Sequence, residues 1–119
     1  MKKTLVLGAS TNPDRYSNIA INRLVNNSIT VVAVGLKTGI VAGIPIETEK
    51  ILFEGIHTVT LYVNPQRQKE FYEYILALKP QRVIFNPGTE NPEFYQLLKE
   101  KNIEVEVACT LVLLATQQF

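Results

Sequence analysis

Short apolar, β-branched runs alternate with blocks in which apolar residues recur every three or four positions, from one end of this chain to the other. A chain patterned this way buries both kinds of face only by laying strands side by side, mainly parallel, under helices. Leu5 to Leu7, Val31 to Val34, Val59 to Val63 and Val83 to Phe85 read as strands covered on both faces. Glu104-Val105-Glu106-Val107 alternates polar with apolar and belongs at an edge with one face wet. Between the strands, Ser17 to Val25 carries Ile21, Leu24 and Val25 at helical spacing, and Asn26-Asn27 suits a left-handed end. Ile40 to Ile46 reads as a tight two-stranded ribbon, followed by a short helix from Thr48 to Phe53. A long helix starts at Pro65 behind Asn64, buries Phe71, Tyr74, Ile75 and Leu78, and stops at Pro80. Another starts at Asn91-Pro92 with Phe94, Leu97 and Leu98 inward, and the tail Cys109 to Gln117 reads as a closing helix. The expected fold is α/β: a Rossmann-like, doubly wound, mainly parallel five-stranded sheet centred on Thr4–Leu7, with helices on both faces and one domain over 1–119.

Composition narrows the function classes. Hydrophobic residues make up 46% and charged residues 19% of the 119, which is enough for one core and too little chain for separate cofactor and substrate domains. The net charge is +1 with the Lys and Arg scattered, so no basic face for nucleic acid is expected. No apolar run approaches the ~20 residues of a membrane span, and Met1-Lys2-Lys3 leads straight into a strand rather than a signal peptide, so a cytoplasmic location is expected. A lone cysteine, Cys109, and a lone histidine, His57, build no metal site between them.

The strongest pointer to a ligand is Thr4-Leu5-Val6-Leu7-Gly8-Ala9-Ser10-Thr11-Asn12-Pro13, a buried strand running into a small-residue turn ahead of a helix. Gly8 permits a tight bend, Ala9 and Ser10 keep bulk away, and the helix behind aims free N–H groups and its positive dipole end at an anion. The full G-x-G-x-x-G pattern is absent, since Ser10 and Pro13 replace its second and third glycines; a plain strand-to-helix turn is the alternative. Four Asn-Pro pairs, at Asn12, Asn64, Asn86 and Asn91, follow strand ends. Asn-Pro is ordinary turn chemistry, but the carboxyl edge of an open α/β sheet is also where ligands bind.

An NAD site usually carries an acid at the end of its second strand, about 20 residues past the glycine turn. Here that strand runs into Gly35-Leu36-Lys37. A cation there suits a phosphorylated ribose, as in NADP or coenzyme A, unless Lys37 is simply a solvated loop lysine. Asp14 and Arg15 read as a surface turn with local pairing, and His57 precedes a strand at the wrong edge for chemistry. Cys109 lies among Ala108, Leu111, Val112 and Leu113 and reads as a core residue.

Gly8-Ala9-Ser10-Thr11-Asn12-Pro13 with Ser17, Val31-Val32-Ala33-Val34 leading to Lys37, Val41-Ala42-Gly43-Ile44-Pro45, Asn86-Pro87-Gly88 and Cys109 occur in one order across nearly the whole chain. In that order and spacing the chain resembles the small single-domain CoA-binding proteins of bacteria, the YccU-like family related to the CoA-binding domain of the succinyl-CoA synthetase alpha subunit. The resemblance implies that the loop opened by Gly8 binds the cofactor, with Ala9, Ser10, Thr11 and Asn12 holding the pyrophosphate, and that Lys37 approaches the ribose phosphate. It further implies that Val63, Asn64 and Pro65 flank the adenine-ribose side and that Asn86, Pro87 and Gly88 line the pantetheine path. Departures from the family pattern are Gly35-Leu36 in place of Asn-Pro, no arginine beside Asn64, Ile84-Phe85-Asn86-Pro87 at the fourth strand end, and Thr110 in place of a proline after the cysteine. The implied function is non-catalytic binding of coenzyme A or acyl-CoA, without a catalytic residue or a metal. A small NADP-dependent enzyme and an interaction subunit with a decayed pocket are the alternatives. The apolar tail Leu111–Phe119 suits a homodimer seam.

Overall fold

The computed structural model describes residues 2–119. Its elements in chain order are β1 (Thr4–Ala9), α1 (Tyr16–Asn26), β2 (Val31–Gly35), β3 (Gly39–Val41), β4 (Ile44–Glu47), β5 (Thr58–Leu61), α2 (Pro65–Gln68), α3 (Tyr72–Leu78), β6 (Arg82–Phe85), α4 (Pro92–Glu100), β7 (Glu104–Val107) and α5 (Thr110–Ala115), with a 3-10 turn, Lys69–Phe71, between α2 and α3. The strands form a single sheet in the order β3-β4-β2-β1-β5-β6-β7. Every pairing is parallel except β3 with β4.

β1 is central, as its unbroken apolar run requires, and the alternating β7 is at an edge. The strand count is seven, not the expected five. The ribbon supplies the extra two: Ala42 and Gly43, both at positive φ, turn β3 back onto β4, and β4 then pairs with β2 through Ala33 opposite Ile46 and Val34 opposite Glu47. Ile46, at 2% exposure, fixes the register by burying its side chain.

Helices on the two faces close two apolar layers. On one, Leu5, Val59, Val83 and Phe85 meet Ile75, Phe94 and Leu98; on the other, Val6, Val31 and Ala33 meet Ile21 and Leu24 of α1. Phe94 stacks on Tyr72 at 4.3 Å and meets Phe85 edge-on at 5.9 Å between ring centres. Burying one such side chain contributes roughly 1.5–3 kcal/mol.

Three helix expectations change in the fold. The left-handed residue after α1 is Ser28, not an asparagine: Ser28 N–H reaches Val25 O and Ile29 N–H reaches Leu24 O, the paired closure that puts the positive φ one residue later. The single helix expected from Pro65 to Pro80 is broken into α2, the 3-10 turn and α3, because the buried Gln68 side chain is tethered to Val63 O at 2.8 Å and Thr89 O at 2.7 Å. Thr48 to Phe53 is not helical. It runs as a strap over α3, with Lys50 Nζ donating to Glu70 O at 2.6 Å and Tyr74 Oη donating to Ile51 O. The closing helix α5 forms as expected: Leu113 is buried, Leu114 and Phe119 pack partly buried on the α1 layer, and Val112 is exposed. No helix among the described residues is long and apolar enough to cross a membrane.

Candidate functional site

A cleft of about 860 Å³ opens at the carboxyl edge of the sheet, over the ends of β1, β2, β5 and β6. Its floor begins where β1 stops pairing regularly, with a register shift between Leu7 and Ala9. Gly8 makes that bend at φ +97°, and a β-carbon there would lie 2.7 Å from Tyr62 O. No other residue fits without moving β5. A β-carbon at Gly35 would overlap Ala9 O, so a glycine there lets the turn lie against β2.

Beyond Ala9 the turn's hydrogen bonds run only within itself and to α1. Ser10 Oγ accepts from Asn12 N at 3.1 Å, Asn12 Oδ1 accepts from Asp14 N at 2.9 Å, and Asn18 Nδ2 donates to Ser10 O at 3.0 Å. Residues 11–16 are exposed. No side chain caps the N-terminus of α1 and its first turn holds no acid, so the positive end of an 11-residue helix faces the cleft unopposed.

Of the residues singled out in the sequence, Gly8, Ala9, Ser10, Thr11, Asn12, Lys37, Val63, Asn64, Pro87 and Gly88 all line this cleft. Two do not. Pro65 occupies the first position of α2, where Asn64 Oδ1 accepts from Arg67 N at 2.9 Å. Asn86, at 2% exposure, is not on the expected pantetheine path: Nδ2 donates to Thr60 Oγ1 at 2.7 Å and Leu61 O at 2.8 Å, while Oδ1 accepts from Thr110 N at 2.9 Å. Its amide knits β5, β6 and α5 together and has nothing left for a ligand. Cys109 is half-buried at the start of α5, less enclosed than its apolar neighbours suggest, and lies outside the lining.

Sequence reasoning missed several lining residues. Arg15, Lys50 and Arg67 join Lys37 to put four cations on the cleft against one carboxylate, Glu70. Asp14 and Arg15 form no ion pair; among the described residues the pairs are Arg67–Glu70 and Arg82–Glu106. Arg67 stands three residues after Asn64, so the wall that lacks an arginine beside Asn64 has one from the next turn. A helix starting at Pro65 signals that placement, because first-turn residues at a carboxyl strand end face the ligand edge. Nothing in the local sequence signals Lys50, which reaches the cleft only because the strap crosses α3.

Tyr62 also lines the cleft, and burial pushes its phenol up to about 12 despite hydrogen bonds with Thr110 and Thr60. His57 is at the opposite, amino edge of β5, with Nδ1 2.7 Å from Thr58 Oγ1. Burial first, then Arg82, lowers its pKa below 6.5. Among the described residues no three His, Cys, Asp or Glu side chains come together in a way that could hold a metal ion. The lining fits a polyanion instead: a glycine turn no β-carbon can enter, an uncapped helix end and an excess of cations.

Comparison with known proteins agrees with that chemistry. Residues 2–115 match the family model of a CoA binding domain. No curated protein matches the chain significantly. Among solved structures, an uncharacterized protein is 50% identical with a TM-score of 0.97, covering 100% of this chain and 98% of that one. A hypothetical protein from Pyrococcus horikoshii OT3 is 28% identical with a TM-score of 0.83, covering 93% of this chain and 80% of its own. A Thermus thermophilus protein at 24% identity and TM-score 0.86, covering 99% of this chain and 90% of that one, shares the fold.

Proposed function

Because the chain belongs to the CoA binding domain family, we propose that it binds coenzyme A or an acyl-CoA at the carboxyl-edge cleft and does so without turnover. The observation that carries this reading is the Gly8–Asn12 turn: it presents main chain and an uncapped helix end beneath four cationic side chains. In this reading the diphosphate rests on Ala9, Ser10, Thr11 and Asn12, Lys37 reads the ribose phosphate, Val63 and Asn64 border the base and ribose, and the pantetheine arm leaves past Pro87 and Gly88.

Binding without turnover is supported by the makeup of the lining, in which the described residues include no histidine and no cysteine, and by Tyr62, whose phenol burial pushes up to about 12, too high for a base near neutral pH. Titration calorimetry with CoA, dephospho-CoA, NADP and NAD tests the reading. CoA is expected to bind tightest, and Lys37→Ala to weaken it by about 1–2 kcal/mol while leaving dephospho-CoA nearly unchanged. The loss should shrink with salt, since charges at an open cleft are screened over about 8 Å at physiological ionic strength. Tighter binding of NADP than of CoA would replace this function with a small NADP-dependent enzyme. No binding of any of them would mark the cleft as a decayed pocket in an interaction subunit.

A further inference from the structure

We propose that Glu70 sets the affinity of this cleft by competing with a ligand phosphate for Arg67. The inference rests on the CoA reading and concerns what limits the affinity of that site. Arg67 and Glu70 are both on the cleft wall, one helical turn apart, and Glu70 contributes the lining's single carboxylate. Their side chains approach to 3.8 Å, with 40% and 55% exposure. That separation is too long for a hydrogen bond and leaves the guanidinium free to turn.

The two backbones, by contrast, are fixed. Arg67 N–H donates to Asn64 Oδ1 at 2.9 Å, and the Glu70 carbonyl accepts from Lys50 Nζ at 2.6 Å. Lys50 also sits 5.1 Å above the Phe71 ring, so it is committed to the strap contact rather than to the Glu70 carboxylate. The anchored backbones keep both side chains on the same stretch of the wall. A ligand diphosphate in the cleft offers Arg67 two oxygens in one plane, a better match than one carboxylate oxygen at 3.8 Å. Arg67 therefore exchanges partners on binding. Every ligand that takes Arg67 gives up the pair, so Glu70 lowers the affinity of the cleft for all of them.

A double-mutant cycle read by calorimetry with CoA tests this. Glu70→Gln is expected to tighten CoA about two- to fivefold, the worth of one exposed ion pair. Arg67→Ala is expected to weaken CoA at least as much. In the Arg67→Ala background, Glu70→Gln should do nothing further. Dephospho-CoA and NAD, if they engage Arg67 more weakly, should gain no more from Glu70→Gln than CoA does. Both positions are solvent-exposed, so thermal melts of the variants should overlay the parent. A Glu70→Gln gain of equal size with Arg67 absent overturns the exchange, because Glu70 then repels the ligand directly. Unchanged CoA affinity in Glu70→Gln overturns it as well. If the parent protein gives no heat with CoA, the CoA reading itself falls and the exchange falls with it.

Discussion

Two Asn-Pro turns at the carboxyl edge carry the same local signature and are put to opposite uses. In the turn after β1, Asn12 and Pro13 are exposed, and the hydrogen bonds run only within the turn and to Asn18. In the turn after β6, Asn86, Thr89 and Asn91 are all buried, and each is bonded to a distant element: Asn86 to Thr60, Leu61 and Thr110, Thr89 O to Gln68, and Asn91 Nδ2 to Gln68 Oε1 at 2.9 Å and Tyr72 Oη at 2.8 Å. A turn whose polar groups are satisfied inside the protein is structure. One whose main chain is left to solvent at a helix N-terminus is open to an anion.

The comparison breaks most visibly at Asn86. Asn86→Ala strips a buried amide of three hydrogen bonds and leaves Thr110 N–H without a partner, and should cost about 3 kcal/mol in urea unfolding. A loss no larger than that of a surface substitution would mean the β6 turn is not held as described. Gly8→Ala comes next, at about 2 kcal/mol, from a positive φ and the approach of Tyr62 O. Unlike Asn86→Ala, it should also weaken CoA under conditions where the variant remains folded, because the bend shapes the cleft floor.

Thr11→Ala and Asn12→Ala sharpen the contrast from the other side. Each should change stability by no more than about 0.5 kcal/mol, while weakening CoA by about 1 kcal/mol per lost hydrogen bond. A large stability loss with unchanged binding would reverse the roles of the two turns.

The smallest effect is expected at the far edge of the sheet. His57 has a folded pKa below its ordinary 6.5, so the unfolded chain takes up its proton first; the His57 contribution is complete above pH 6.5 and is lost as pH falls through that value toward the lower folded one. His57→Asn should flatten the decline of the melting temperature between pH 7.5 and 5.5 without altering the pH dependence of CoA binding. A coupled change in binding would place His57 in contact with the carboxyl edge after all.

Much of this was legible in the chain itself. Unbroken apolar runs at Leu5–Leu7 and Val83–Phe85 announce interior parallel strands, and Glu104–Val107 announces an edge, because strand burial repeats every second residue and shows in the side chains themselves. Gly8 and its small neighbours are similarly readable, since a positive φ against a crowded strand leaves little choice of residue. The second role of Asn86 was not legible. Its local pattern is that of any turn, and only β5 and α5, brought close by the fold, supply the partners that occupy its amide.

By itself, then, the sequence determined the layer arrangement, the central place of β1 and the glycine turn at its end, all of which follow from residues close together in the chain. Tertiary structure alone decided that the ribbon joins the sheet, that the segment after it becomes a strap instead of a helix, and that Arg15, Lys37, Lys50 and Arg67 converge on one cleft. Periodicity reports which face of an element is buried, but not which loop another loop will meet. The charge of the site is a sum over segments far apart in the chain, and only their packing brings them to the lining of one cleft.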